Sequence, residues 1–259
     1  MNKRFLGFAI AAVLLLVPSV AFAAAPAAAA GAGSSALSID LSGGMFTDRM
    51  VQIIALITIL SLAPSILIMM TSFVRIVVVL SLLRTAIGVQ TSPPNAVIVS
   101  LSLFLTLFVM GPTLHEAYQA GVQPMIAGTM TTEDAMTKAI VPVKKFMLGH
   151  VRDADLKLFL DMRKTPIPKD PMQVEITTLA PAFMLSELKR AFEIGFLIFV
   201  PFLIIDMAVA SILMSMGMMM LPPTVISLPF KLIFFVLVDG WRLIAGSLVQ
   251  SYMHGPPPT

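Results

Sequence analysis

The sequence predicts an all-α protein of the integral membrane type, with two hydrophobic helical hairpins flanking a small helical insert. The first observation is composition: 58% of the 259 residues are hydrophobic, only 12% are charged, and the mean hydropathy is +0.94. Charged residues make up about a quarter of an ordinary soluble domain. The second observation is charge distribution. Residues 51–74 and 85–114 carry no charge, whereas residues 115–190 contain ten Lys or Arg and nine Asp or Glu.

Composition also excludes several functions. The chain has no cysteine, so disulfides, iron–sulfur clusters and thiol nucleophiles are not possible. Its three histidines are far apart and lack metal-ligand spacing. The sequence contains neither a phosphate-binding glycine loop nor a serine-nucleophile motif. A net charge of +3 is too small to indicate a nucleic-acid partner. We therefore expect a protein that is not an enzyme and that has no cofactor, metal or nucleic acid.

The N-terminus has the pattern of a cleavable signal peptide. Lys3 and Arg4 precede an uncharged apolar stretch at residues 5–17, and small residues flank a cleavage point after Ala23. We predict a signal peptide at residues 1–23 and a low-complexity leader at residues 24–49. The alternative is an uncleaved anchor helix, but the apolar stretch is shorter than the roughly 20 residues that a span needs.

The first hydrophobic hairpin is predicted at residues 50–114, with helices at 50–83 and 95–110. Its turn is "QTSPPN", because consecutive prolines remove backbone donors and disfavour the helical conformation before them. The second hairpin is predicted at residues 191–259, with helices at 191–221 and 224–248 that turn at Pro222–Pro223.

The insert, residues 115–190, is predicted to be helical, because Met136, Ile140, Val143 and Met147 recur at helical spacing as an apolar stripe that packs in a small helical domain. A second, shorter helix in the same insert is expected to bury Leu156, Phe159 and Leu160. An exported N-terminus followed by two spans places this insert in the periplasm.

Charges inside apolar helices indicate buried interactions, since such a group costs about 3 kcal/mol on insertion scales. Arg75 lies in the first hairpin, and Asp206 and Lys231 lie in the second. Counted from the proline turn, Asp206 and Lys231 differ in height by roughly 12 Å at 1.5 Å per residue. We therefore expect no pair within one hairpin unless a kink intervenes, and we predict pairing between subunits. The alternative is that each charge snorkels or pairs elsewhere.

These charges also permit a different reading. Arg75 and Asp206 could serve a self-sufficient secondary transporter or ion channel. Transporters often contain inverted repeats, and the two hydrophobic pairs resemble each other only in the proline pair at each turn.

The segment "SMGMMMLPP" at residues 215–223 is the densest methionine cluster in the chain. Gly217 and the double proline disfavour helix on both sides of the methionines, which predicts a loop. Methionine is unbranched and adaptable, so such a loop could pack around variable partners. Ordinary core or lipid filling is the alternative role for Met218, Met219 and Met220.

Long motifs resemble one family. "PAFMLSELKRAFEIGF" (181–196) and "PFLIIDMAVASILMSMGMMMLPP" (201–223) are similar to the two signature stretches of the FliP/SctR family, and residues 69–112 resemble its first hairpin. The resemblance implies a core subunit of the type III protein export gate. The leader resembles the flagellar branch of the family, with the virulence (injectisome) branch as the alternative.

The resemblance also implies partners, location and site residues. It implies a pentamer completed by FliQ-like and FliR-like subunits, in contact with other membrane proteins of the export apparatus and with unfolded flagellar export substrates. Its location would be the bacterial inner membrane, within the flagellar basal body. By position in the motifs, Met218, Met219 and Met220 would form a pore gasket. The charges with assembly roles would be Arg75, Glu187, Asp206 and Lys231.

Overall fold

The computed structural model describes residues 50, 53–54, 57–58, 61, 68–89, 91–166, 168, 170–218 and 221–253. Within these ranges the backbone forms helices, turns and bends, without strands, which confirms the predicted all-α class. The predicted signal peptide with Ala23, the leader, Met219 and Met220 lie outside the described residues. The chain divides into a unit that ends at Gln52 and a unit from Ile53 to Thr259, and the helices below belong to the second.

The first apolar pair consists of α1 (Phe73–Ile87) and α2 (Asn95–Ala117). Helix α1 ends at Gly88, whose φ of 90° requires the left-handed conformation that glycine adopts without strain. Helix α2 begins after the second proline of the predicted turn. It continues through a π-helical turn (Tyr118–Val122) into α3 (Gln123–Ile126), well beyond its predicted end at Met110. The prediction used hydropathy, which marks where the chain becomes polar and not where a helix ends.

The insert contains α4 (Thr132–His150), α5 (Asp153–Met162) and a 3₁₀ turn (Pro171–Gln173). The Thr131 side chain caps α4 by accepting a hydrogen bond from the backbone N–H of Asp134. Met147 and Leu160 are buried as predicted.

Met136 differs from the prediction, because its side chain is 75% exposed and the neighbouring Ala135 is buried instead. The reason is the close approach of the π-helical turn, where a side chain on Gly121 would collide with Ala135 and Ala139. Only small residues fit at this contact.

The C-terminal third contains α6 (Ile176–Ser215), α7 (Pro223–Leu237) and α8 (Gly240–Met253). Helix α6 has 40 residues and continues through the position where the insert was predicted to end. Helices α7 and α8 replace the single predicted helix at 224–248, because the chain bends by 61° between them. Asp239, with φ of 50°, lies at this bend.

Helix α1 forms the centre of the main core, where Ile76, Val79 and Leu83 are fully buried. Helix α6 packs closely on α1 at Gly195, since any side chain there would overlap with Leu82. A second cluster joins α4 to the first turns of α6 through Met147, Leu179 and Phe183. The insert and the apolar helices thus share α6 as a common support.

Among the described residues, two helical segments are long and apolar enough to cross a membrane, Asn95–Ile126 and Ile176–Ser215. The bent pair α7–α8 adds a third if it is counted as one span. Only 22% and 17% of the residues in the apolar windows of the two segments are buried within the chain. Most of their apolar side chains therefore need lipid or other subunits to cover them.

Candidate functional site

The most deeply buried charges form one ion pair between α1 and α6. Arg75 and Glu187 are 1% and 0% exposed. Arg75 Nε donates to Glu187 Oε2 at 2.8 Å, and Arg75 Nη2 donates to Glu187 Oε1. This two-pronged geometry is the strongest arrangement available to an arginine and a carboxylate. The pair links two helices that are far apart in sequence.

Helix α8 completes this cluster. The Tyr252 hydroxyl donates to Glu187 Oε2, and the Tyr252 ring centroid lies 4.0 Å from Arg75 Cζ, which is a cation–π contact. The Ser251 hydroxyl accepts from Arg75 Nη1 at 3.1 Å. Helices α1, α6 and α8 therefore meet at one charged centre that water does not reach.

A cluster of three rings connects this centre to the insert. The His150 ring of α4 contacts the rings of Phe146 and Tyr252, with centroid distances of 4.5 Å and 5.2 Å, and the Phe146 and Tyr252 centroids are 6.0 Å apart. His150 Nδ1 lies 2.8 Å from the carbonyl oxygen of Phe146 in its own helix. The C-terminal helix therefore fixes both the membrane-type helices and the insert.

The second ion pair, between buried Lys231 and partly buried Asp206, lies within the α6–α7 hairpin. Lys231 Nζ donates to Asp206 Oδ2 at 2.6 Å, and the Ser227 hydroxyl donates to Asp206 Oδ1 at 2.5 Å. Lys231 Nζ also lies 3.5 Å from the carbonyl oxygen of Ala86, near the C-terminal end of α1. A cation near the C-terminus of a helix is favourable, because the last carbonyls carry partial negative charge.

This pair corrects the prediction that Asp206 and Lys231 would not meet within one hairpin. The prediction counted both helices up to the prolines, but α6 ends at Ser215 and α7 begins at Pro223. Asp206 is then nine residues before the end of α6, and Lys231 is eight residues after the start of α7 at Pro223. The two residues are at matching heights, so pairing needs no second subunit.

The methionine segment leaves α6 through a helix-terminating glycine. Gly217 has φ of 70°, its N–H donates to the Met214 carbonyl oxygen at 3.1 Å, and the Met218 N–H donates to the Leu213 carbonyl oxygen at 3.0 Å. These two bonds define the Schellman motif, in which glycine takes the left-handed position. A loop is therefore confirmed here, and the Met218 side chain within it is 42% exposed.

Sequence reasoning identified all four charged members of these clusters but missed their neutral partners. Ser227 precedes Lys231 by four residues, and this spacing on a helix was a usable signal. Ser251 and Tyr252 carried no such signal, because their role depends on where α8 packs. In the part of the chain that the structure describes, no group of three or more His, Cys, Asp or Glu could hold a metal ion.

Comparison with known proteins gives the family. The chain is 58% identical over 246 residues to the flagellar biosynthetic protein FliP of Caulobacter vibrioides, covering 95% of this chain and 92% of the relative. It is 54% identical over 202 residues to the protein of the same name from Bacillus subtilis, covering 78% and 91%. The Aquifex aeolicus relative is 52% identical over 204 residues, covering 78% and 85%. The model of the FliP family matches residues 56–248, and the chain therefore belongs to the FliP family.

Proposed function

We propose that this chain is a core, pore-forming subunit of the flagellar type III protein export gate. The observation that carries the proposal is the methionine loop, which ends a 40-residue apolar helix at Gly217 and presents an exposed Met218. Met219 and Met220 follow Met218 directly in the sequence. Family membership supports the flagellar role, since the relatives are named as flagellar biosynthetic proteins.

The chemistry of methionine suits such a pore. An export channel has to pass an unfolded polypeptide and still hold back ions. A ring of flexible thioethers can pack closed and then adapt to a passing chain. A hydrophobic constriction also excludes ions, because water leaves it. In the proposed mechanism, Met218, Met219 and Met220 from several copies form the gasket around the substrate.

The proposed assembly is a homo-oligomer, a pentamer by family resemblance, that is completed by FliQ-like and FliR-like subunits. The outward apolar faces support it. On α6 alone, Phe192, Phe196 and Met207 are each more than half exposed. Patches of this kind mark contacts with protein or lipid. Other export-apparatus membrane proteins and unfolded flagellar substrates are the further proposed partners.

The proposed location is the bacterial inner membrane within the flagellar basal body, with the insert in the periplasm. Two membrane-length helices support a membrane protein. The periplasmic side rests on the predicted signal peptide with cleavage after Ala23.

Proton or ion transport by this chain alone is the second candidate, and the buried contacts argue against it. Glu187 is engaged by Arg75 and Tyr252, and Asp206 is engaged by Lys231 and Ser227. Both carboxylates therefore have structural partners. We propose assembly roles for Arg75, Glu187, Asp206 and Lys231, and no catalytic role for any of them.

Changing Met218, Met219 and Met220 together to alanine tests the pore assignment. We expect the gate complex to assemble normally and the membrane to leak small ions, measured as depolarisation of cells that carry the variant. Met162→Ala, at an exposed position of α5 in the insert, is the control and should not leak. Normal ion retention by a fully assembled triple variant would refute the gasket.

Native mass spectrometry tests the proposed partners. The tagged chain is extracted gently from the membranes of its own bacterium. We expect a large complex with several copies of this chain and two other small hydrophobic proteins. A monomer or simple dimer without partners would contradict the proposal and favour the transporter.

A further inference from the structure

The polar side-chain contacts of the α6–α7 hairpin lie at a single level, beside the aromatic contacts of Phe202 with Phe234 and Phe235. Among the described residues, Asp206 makes the only side-chain hydrogen bonds between the two helices, to Ser227 and Lys231. Ser227 is fully buried and Lys231 is 7% exposed. Each oxygen of the Asp206 carboxylate accepts a hydrogen bond, so this junction depends on the positions of Ser227 and Lys231 as well as on charge.

An apolar groove runs along the surface of the two helices beside this junction and towards the loop. Its volume is about 460 Å³, and both helices contribute to its almost entirely apolar lining. Val209 and Leu213 of α6 are buried there, but Ile212 and Phe230 in the lining are each more than half exposed. The apolar contact between α6 and α7 near the loop is therefore only partial.

The junction is also anchored outside the hairpin. Lys231 Nζ approaches the Ala86 carbonyl oxygen of α1, which is one of the last carbonyls of that helix and lacks a partner within it. Helix α1 forms the centre of the core, so it is the most fixed element nearby. Asp206 and Lys231 thus couple the hairpin to α1, which is a rigid support.

We propose that the Asp206–Lys231 ion pair is a clamp that sets the separation of α6 and α7 and so positions the methionine loop. The clamp supplies a fixed polar contact between the helices where the apolar contact beside the groove is only partial. The clamp makes Asp206, Ser227 and Lys231 positioning residues for the gate. The effect of the clamp on the gate rests on the proposed function. The contacts of Asp206 with Lys231 and Ser227 do not depend on it.

Spin-label distance measurements test the clamp directly. The chain has no cysteine, so a single pair of cysteines can be introduced and labelled without background. Labels at Ile212→Cys and Val225→Cys measure the distance between α6 and α7 near the loop, since both positions are exposed there. Leu197→Cys and Leu237→Cys are exposed positions on the far side of the clamp and give the control distance.

In the assembled complex, we expect Asp206→Asn and Lys231→Met to broaden the 212–225 distance distribution and move it to larger values, with little change in the 197–237 distance. Lys231→Arg keeps the positive charge and should give the same 212–225 distance distribution as the unchanged chain. Asp206→Asn retains an acceptor for Ser227, so it tests the charge even if Lys231→Met does not accumulate. Unchanged 212–225 distances in assembled Asp206→Asn would overturn the clamp.

Ion leak through the same variants separates the clamp from the proposed pore. The clamp predicts that variants with altered 212–225 distances also leak, whereas Lys189→Met, which breaks an exposed pair on the same helix, does not. Leak with unaltered distances would refute the clamp and leave the pore assignment intact. Leak from the methionine triple variant tests the pore alone, because that variant keeps Asp206 and Lys231.

Discussion

Glu187→Gln removes one negative charge from the buried centre and keeps nearly the same size and shape. Arg75 would then remain 1% exposed without a counter-charge, and Tyr252 would lose an ionic acceptor. Removing one partner of a buried ion pair costs about 3–5 kcal/mol, because the other charge stays desolvated. We expect Glu187→Gln to lower the free energy of unfolding by that amount, which is a large share of the 5–15 kcal/mol typical of a folded domain.

The assay is reversible unfolding of the purified chain in mixed detergent micelles, followed by helical circular dichroism. Arg75→Met alone should cost a similar amount, because it leaves Glu187 buried and unpaired. The double variant should cost much less than the sum, since replacing both charges removes the desolvation penalty together with the attraction. The double-mutant cycle should give a coupling free energy larger than about 2 kcal/mol.

Glu193→Gln is the matched control, because it makes the same chemical change on the same helix. Glu193 and Lys189 are 60% and 50% exposed and their charged atoms are 4.0 Å apart. Exposed pairs contribute about 0–1 kcal/mol, so this variant should be nearly neutral. Equal effects of Glu187→Gln and Glu193→Gln, or additive effects in the Arg75–Glu187 cycle, would refute the reasoning.

Two further predictions concern the methionine loop and the start of α6. Gly217→Ala should lower the free energy of unfolding by about 1–2 kcal/mol, because φ of 70° is unfavourable for a residue with a side chain. Gly246→Ala, inside α8 with open space around it, should instead stabilise the chain slightly, and equal effects in the same unfolding assay would contradict the loop geometry. The pKa of Glu175 is lowered, first by its hydrogen bond from Arg163 and then by Thr177. Its contribution to stability is therefore present above the ordinary pKa of a glutamate and is lost as the pH falls through the lowered value. Arg163→Gln should raise the pKa of Glu175 in an NMR titration, and an unchanged pKa would show that the hydrogen bond does not form.

Much of the fold followed from local sequence. The proline pairs predicted both turns, because proline lacks a backbone donor wherever it stands. Gly217 with the double proline predicted the methionine loop for a similar reason, since left-handed backbone is accessible to glycine in any context, although the helix was predicted to continue to residue 221. Arg75, Asp206 and Lys231 were recognisable individually, because an ionisable group in an apolar helix requires a partner. Glu187 was identified only through the resemblance to the family.

Helix lengths were less accessible to sequence reasoning. Hydropathy placed a boundary at residue 190, but α6 continues from Ile176 to Ser215 and accommodates Pro181 and Pro201, since neighbouring helices allow proline within apolar helices. The bend between α7 and α8 was also missed, since it depends on a single Asp239 in a left-handed conformation rather than on a run of turn residues.

The sequence by itself determined the helical class, the apolar pairs, the methionine loop and the family, because each depends on residue type and short-range spacing. Only the tertiary structure decided which charges meet. Asp206 pairs with Lys231 because the loop begins at residue 216 and brings the two helices to matching heights. Glu187 binds Arg75 and Tyr252 because α1 and α8 approach α6 at the same level. Such partners are set by the packing of helices distant in sequence, and no local pattern encodes that packing.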